Sequence, residues 1–416
     1  MSAGMPRQGR KAHSLFITYD GLLDHLGASQ ILPCLRAIAS KEERLHILSF
    51  EKKERFAQSA QAIGSQLAGT TISWTPLLFT SSWGILGKLW DLMRMYAAAM
   101  AIAAKLRPSV VHARSHAPAQ VGLLIKQLFG ARLPFDFRSL WADERIDKGG
   151  WRLSNPWHRL QFQHYTRVEH RLLAQADHVV VLTEAVVSEV LHLGIAHRDR
   201  LTVIPCCADF SHFKLATPVT RQLARSDFEI PHDSLVLGYL GSVGRMYMPE
   251  RFLQLVELAA AQIPKLQVLV LTPDPEAFLE LVRLKLPSRF WPQIQTRSAN
   301  REQVARWLPA MDILVSFITA TYARIGSSPT KLAEAWACGI PALCNSGVGD
   351  LALLVPELDA GMVINIDSDQ ELQNVAKALP SLVTKGGKIL RDAAQAKLSL
   401  ELAADRYLGI YRLLRS

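Results

Sequence analysis

Ser328-Pro-Thr-Lys-Leu-Ala-Glu-Ala-Trp-Ala-Cys-Gly-Ile-Pro341 compresses a turn, a short helix and the start of a strand into one stretch. Apolar runs of strand length stand on either side, at 313–317 and 341–344, and more lie further out at 235–240, 267–271, 293–296 and 361–364. A helix-length segment separates each from the next. The first half of the chain repeats the rhythm, with runs at 14–19, 45–50, 71–74, 110–113, 134–137, 178–182 and 201–204. Strands alternating with helices predict the α/β class with parallel sheets. Residues 206–230 carry no clear period and lead through Pro231 into a fresh strand. The expected organisation is therefore a first domain over 1–206, a linker over 207–233, a second domain over 234–388 and a helix over 389–416 that can cross back to the first. Two doubly wound domains facing each other place the carboxyl ends of both sheets on one cleft, where ligands bind.

At 416 residues the chain is long enough for two or three domains of about 150 residues each. Its 47 Lys and Arg against 37 Asp and Glu give a net charge of +10, which points to an anionic partner: nucleotide, lipid phosphate or nucleic acid. The basic residues show no interleaved aromatic motif, so nucleic acid is set aside. Five cysteines without a C-x-x-C pair suggest neither a disulfide framework nor a zinc site, and a reducing cytoplasm fits them best. His158, His164 and His170 recur every six residues, which scatters them around a helix and argues against a shared metal. The start has no apolar stretch of signal-peptide length. Lys88, Asp91 and Arg94 interrupt the most hydrophobic helical segment and leave only 95–104 uncharged, too short to span a bilayer.

Gly241-Ser-Val-Gly-Arg245 directly follows the strand at 235–240. Its glycines, Gly241 and Gly244, turn the chain tightly and present N–H groups to an anion, and Arg245 with Arg251 forms a candidate diphosphate clamp. An ordinary turn followed by solvated arginines reads equally well from these residues alone.

The 328–341 stretch resembles the donor-binding signature of GT-B glycosyltransferases, in particular family 4, within a subgroup carrying S-P-T-K-x-x-E. Further blocks follow in the family order: Tyr19-Asp-Gly-Leu-Leu-Asp-His-Leu-Gly-Ala-Ser-Gln30, Val111-His-Ala-Arg-Ser-His116, Phe135-Asp-Phe-Arg-Ser-Leu-Trp-Ala-Asp-Glu144, Val181-Leu-Thr183, Val203-Ile-Pro205, 241–245 and Asn345-Ser-Gly-Val-Gly-Asp350. The resemblance implies the GT-B fold, two Rossmann-like domains about a cleft. It also implies transfer of a sugar from a nucleotide diphosphate sugar with retention of configuration and without a metal or other cofactor. The implied acceptor is a lipid-linked glycan or another envelope or exopolysaccharide molecule.

The implied roles fall on particular residues. Glu334 takes the ribose hydroxyls; Arg245 and Arg251 neutralise the leaving diphosphate; His116 binds the donor sugar near the reacting carbon. Ser328, Thr330 and Lys331 belong to the donor motif, Lys331 reaching a phosphate, while Gly347 and Gly349 offer N–H groups. Gly27 stands in the family's glycine loop. Arg114, in the loop of His116, is an acceptor-side candidate, as are Asp143 and Glu144, within a charged loop that reads equally well as internal ion pairs. One position departs: the family's E-x7-E has its first glutamate where this chain has Gly326.

Trp83, Ile85, Leu86, Leu89, Trp90, Met93 and Tyr96 mix with Lys88 and Arg94 in one expected helix, and Lys52, Lys53 and Arg55 follow the second strand. Such a surface suits an anionic membrane at the inner, cytoplasmic face; packing of the helix on its own sheet is the other reading. A sugar-nucleotide 2-epimerase, or a degenerate family member that binds a sugar nucleotide without catalysis, would share the architecture.

Overall fold

The structure, a computed structural model, describes residues 13–24, 26–41, 43–80, 84–194, 197–244 and 246–416. Two parallel sheets organise it. The first holds β1 (His13–Thr18), β2 (Arg44–Glu51), β3 (Ile72–Leu78), β4 (Val110–Arg114), β5 (Pro134–Asp136), β6 (His178–Val181) and β7 (Leu201–Val203), in the order β3-β2-β1-β4-β5-β6-β7. The second holds β8 (Leu235–Leu240), β9 (Leu266–Leu271), β10 (Ile294–Arg297), β11 (Ile313–Ser316), β12 (Ala342–Asn345) and β13 (Gly361–Ile364), in the order β10-β9-β8-β11-β12-β13. Their strands read as near-continuous apolar runs because helices cover both faces. The strand order reverses between β1 and β4 and again between β8 and β11, and such reversals open crevices at the strands' carboxyl ends.

These reversals bring the glycine segments to the cleft. The turn Gly27–Ile31 is a short π-helix following β1, and a Cβ on Gly27 would stand 1.9 Å from the Gly21 carbonyl oxygen. Only glycine lets the two loop segments touch there. The buried Glu51 anchors the same loop by accepting hydrogen bonds from the Leu22 (2.8 Å) and Leu23 (3.2 Å) amides.

The domain boundary differs from the sequence reading. Residues 207–233 are no free linker: they contain helix Pro218–Ser226, and Ala208, Phe210, Phe213, Ala224, Phe228 and Ile230 join the second domain's core. The buried Arg225 fastens this segment, donating to the Ala310, His232 and Ser234 carbonyls and to Asp312, which also accepts from Arg221 and from the amide of Val236, the second residue of β8. The terminal helix also differs. It breaks at Ser399, which is extended (φ −74°, ψ 147°) and caps the next helix with its hydroxyl. Helix Lys388–Leu398 packs on helix Thr330–Ala337 of the second domain, and helix Leu400–Arg415 crosses to pack on helix Leu32–Ala39 of the first. Tyr407 and Tyr411 are buried there.

Arg221 still pairs with Asp312 at 2.5 Å when Arg225 is removed, so Arg225→Ala leaves chiefly the Ala310, His232 and Ser234 carbonyls without their donor and is expected to cost about 1–3 kcal/mol. Urea unfolding checks it, and a midpoint within error of wild type would show that 207–233 does not hold the second domain together.

Candidate functional site

Helix Thr330–Ala337 starts in the loop after β11, beside the turn that follows β8. Lys331 on its first turn points back toward that turn. The ammonium lies 4.1 Å from the ring centre of Tyr247 and 5.8 Å from that of Tyr239, and 3.0 Å from where a Cβ on Gly241 would be. Burial lowers its pKa to about 7, against the opposing fields of Cys344 and Glu334. One turn on, Glu334 is 8% exposed, and among the described residues no group donates a hydrogen bond to its carboxylate. Burial raises its pKa to about 7 in spite of Arg301 and Lys331. A buried carboxylate without donors is costly, and hydroxyl groups of a ligand would relieve the cost.

The loop after β12 adds backbone. Gly349 has φ +45°, and a Cβ there would stand 2.1 Å from the Ser327 carbonyl oxygen; Gly347 faces Ala320. Asp350, beside them, accepts hydrogen bonds from the amides of Glu184 (2.7 Å) and Ala185 (2.8 Å), which belong to the first domain. Among the described residues, only the Ser242 hydroxyl comes within 4 Å of where a Cβ on Gly244 would be. Trp83, the Ile85 side chain and Arg245 lie outside the described residues.

Several expected site residues are turned elsewhere. Arg251 donates to Gln254 and Asp369, each at 2.6 Å, and among the described residues Lys331 stands as a cation beside the 241–244 turn. Ser328 accepts from the Cys206 amide at 3.1 Å, and Thr330 accepts from Gln30, so both hydroxyls face the first domain. His116 is buried, its Nε2 2.7 Å from Glu169 and its ring packed among Phe135, Phe137 and Trp141, because it begins helix His116–Phe129 on the side facing helix Pro156–Gln175. That pairing sets the ring against Glu169 and the aromatic side chains of the first domain. Arg114 spends its donors on Asp20, Asp136 and Gln30.

Arg114 belongs to a cluster at the ends of β4 and β5. Asp136 is buried, yet the guanidinium groups of Arg138 and Arg114 overcome the upward push of burial and hold its pKa below the usual range. His112 bonds to the Tyr411 hydroxyl at 2.7 Å, and burial lowers its pKa to about 4. These groups line a cavity of about 40 Å³ together with Gln30, Cys34, Cys206, Cys207 and Tyr407.

The acidic loop divides. Glu144 holds Lys148 (2.8 Å) and reaches Arg324 of the second domain (3.2 Å); burial pushes its pKa up, but Lys148, Arg324 and Ser139 more than offset this. It is an ion-pair residue across the cleft. Asp143 is half-buried, and burial with the nearby Glu169 carboxylate raises its pKa to about 6, the range of a proton acceptor. Among the described residues no group of three or more His, Cys, Asp or Glu side chains stands where it could hold a metal ion.

Sequence reasoning missed Gln30, Glu169, Arg301 and Asp350. Gln30 and Asp350 end quoted blocks and carried that much signal. Glu169 and Arg301 carried none, since they act through partners distant in sequence; the Nε of Arg301 is buried without an acceptor.

The Lys331 and Glu334 values set a pH dependence. Anion binding favours charged Lys331, so affinity for UDP or GDP falls as pH rises above about 7. Hydroxyl binding favours ionised Glu334, so affinity also falls as pH drops below about 7. Calorimetry should give a bell-shaped profile. Glu334→Gln should flatten its acid limb and Lys331→Met its alkaline limb relative to wild type; unchanged limbs in both variants would count against the pair.

Residues 36–207 match the family model of the glycosyl transferase 4-like domain. The D-inositol 3-phosphate glycosyltransferase of Mycolicibacterium smegmatis is 26% identical over 207 residues, 47% of this chain and 44% of that protein. The enzyme of the same description from Stackebrandtia nassauensis is 27% identical over 277 residues, 59% of this chain and 57% of that one. The chain thus spans about half the length of these curated relatives. Among solved structures, sucrose-phosphate synthase from Thermosynechococcus elongatus aligns with TM-score 0.69 at 18% identity, covering 97% of this chain and 99% of that one. HepE of Anabaena in complex with UDP and glucose aligns with TM-score 0.70 at 15% identity over 96% and 99%. Residues 36–207 are thus similar to a glycosyl transferase 4-like domain, and the chain as a whole has the two-domain GT-B fold of these solved structures.

Proposed function

We propose that the protein is a retaining glycosyltransferase that moves a sugar from a nucleotide diphosphate sugar to a lipid-linked glycan or another envelope acceptor, without a metal. The observation that carries this reading is the buried carboxylate of Glu334, without a donor among the described residues, one turn from Lys331, which lies at the 241–244 turn by the β8/β11 reversal. Glu334 takes the ribose hydroxyls. Lys331 and the turn's N–H groups hold the diphosphate, and its charge returns Lys331 to the protonated form as negative charge develops on the leaving group. Gly347 and Gly349 bring main chain to the donor, and Asp143 orients the acceptor hydroxyl or accepts its proton. The solved complexes of HepE with UDP and with UDP-glucose support a uridine donor.

A Cβ on Gly326 would stand 3.5 Å from Val186 of the first domain, an ordinary van der Waals contact. Glu334→Ala should abolish transfer and weaken binding of the cognate nucleotide, each lost charge-assisted bond being worth about 1.5–3 kcal/mol. Gly326→Glu should not raise the rate. Calorimetry with UDP and GDP and a transfer assay decide; unchanged nucleotide affinity in folded Glu334→Ala would remove the ribose role.

The acceptor side suits a membrane surface. Helix Gly84–Leu106 packs Met95, Ala99 and Ala103 on the first sheet, while Leu86 (70% exposed), Leu89 (53%), Trp90 (46%) and Met93 (57%) form a stripe open to solvent. No helix among the described residues is long and apolar enough to cross a bilayer. Arg94 is not part of the docking face, since it bonds to Asp91 and the Leu78 carbonyl; Lys88 is exposed. The stripe would lie in the interface with Lys88, Lys52 and Lys53 toward anionic headgroups. Sedimentation with anionic vesicles should fall when Leu89 and Met93 become Asp, and fall again as salt is raised. Equal binding by variant and wild type would remove the membrane role.

A further inference from the structure

Gln30 joins the two halves of the molecule. Its Oε1 accepts from Nη2 of Arg114 at 3.0 Å and from Nη2 of Arg138 at 2.9 Å. A guanidinium only donates, so the amide orientation is fixed: Oε1 faces the arginines and Nε2 is left to donate to the Thr330 hydroxyl across the cleft. Asp136 fixes both arginines in turn, accepting from Arg114 and from Arg138 at 3.4 Å each.

The far end of this chain of bonds is the start of helix Thr330–Ala337. Pro329 stands at its N-cap position, and no side chain of the helix's own caps it. The hydroxyls on either side of that proline are held from outside the second sheet, Ser328 by the amide of Cys206 just after β7 and Thr330 by Gln30. Gln30 itself lies in the π-turn Gly27–Ile31, a geometry concentrated at functional sites.

We propose that Gln30 is a positioning residue: its amide seats the first turn of helix Thr330–Ala337 on the Arg114–Asp136–Arg138 cluster, and so sets where Lys331 and Glu334 stand relative to the first domain. The inference rests on the proposed donor site and adds its coupling to the acceptor-side domain. Opening the cleft must break the Gln30–Thr330 bond, so the helix start is seated from the first domain only while the domains are closed. Asp350 with the 184–185 amides, Thr183 with the Ile325 carbonyl, and Glu144 with Arg324 also hold the closure, but none of them touches the helix start.

The test is a cycle of Gln30→Ala, Thr330→Val and the double variant, with Thr330→Ser as the conservative replacement. Small-angle X-ray scattering of the full chain reads the balance of closed and open forms; calorimetry with UDP and GDP reads the nucleotide site. Each single variant should shift the balance toward the open form by about fivefold, the worth of one net hydrogen bond. The double variant should shift it no further, since both changes delete the same bond. Thr330→Ser should scatter as wild type, which a general loss of packing would not allow, and Gln30→Ala should keep its nucleotide affinity while losing turnover. Wild-type scattering in both single variants, or additive shifts in the double, overturns the proposal. Failure of the wild-type protein to bind either nucleotide would instead sink the transferase reading, and the scattering cycle would still judge Gln30.

Discussion

A single buried carboxylate imposes much of the arrangement at the cleft. Asp136 ends β5 with almost no access to water, and a charge there must be matched or neutralised. Arg114 from β4 and Arg138 from just beyond β5 match it, leaving one positive charge in excess and several guanidinium donors to place. Those donors find Gln30, Asp20 and the Cys206 sulfur. Each of these partners lies on a segment that borders the cleft, so compensating one charge fixes the loop after β1, the crossing after β7 and, through Gln30, the opposite domain.

The second domain faces the converse problem. Lys331 and Glu334 are opposite charges one helical turn apart, both drawn away from water and neither side chain hydrogen-bonded among the described residues. The pair has no net charge whether both groups are ionised or both neutral, which limits the cost of leaving the site empty. A ligand that brings both anionic oxygens and hydroxyls suits the ionised form of the pair. The site is therefore held in balance by its own burial, where the first-domain cluster is held by saturation of its bonds.

The strands were legible in the sequence because parallel sheets buried on both faces demand unbroken apolar runs. β3 was the least well delimited. The sequence reading ends this strand at 74, yet it continues through Pro76 to Leu78, since β3 is an edge strand and a proline there costs no ladder bond. The donor helix and its glutamate were legible as a compact motif. The directions of His116, Arg114 and Arg251 were not, because Glu169, Asp136 and Asp369, which turn them, lie 53, 22 and 118 residues away. The 207–233 segment misled for a related reason: its apolar residues serve a core built by residues far along the chain and follow no local period.

The break at Ser399 has a consequence for assembly. Arg415 bonds to Glu43, Ser14 and Ser109, and Tyr411 bonds to His112, so the first domain's central face is sealed by residues made some 200 positions after its own last strand. During synthesis that face must wait while the second domain emerges, an interval of about 10–40 s at ordinary ribosomal rates. The first domain is thus the first to be made and the last to be finished. Until helix Leu400–Arg415 arrives, the apolar surface of helix Leu32–Ala39 stands uncovered, a site for chaperones to hold and the place where premature association between growing chains would begin.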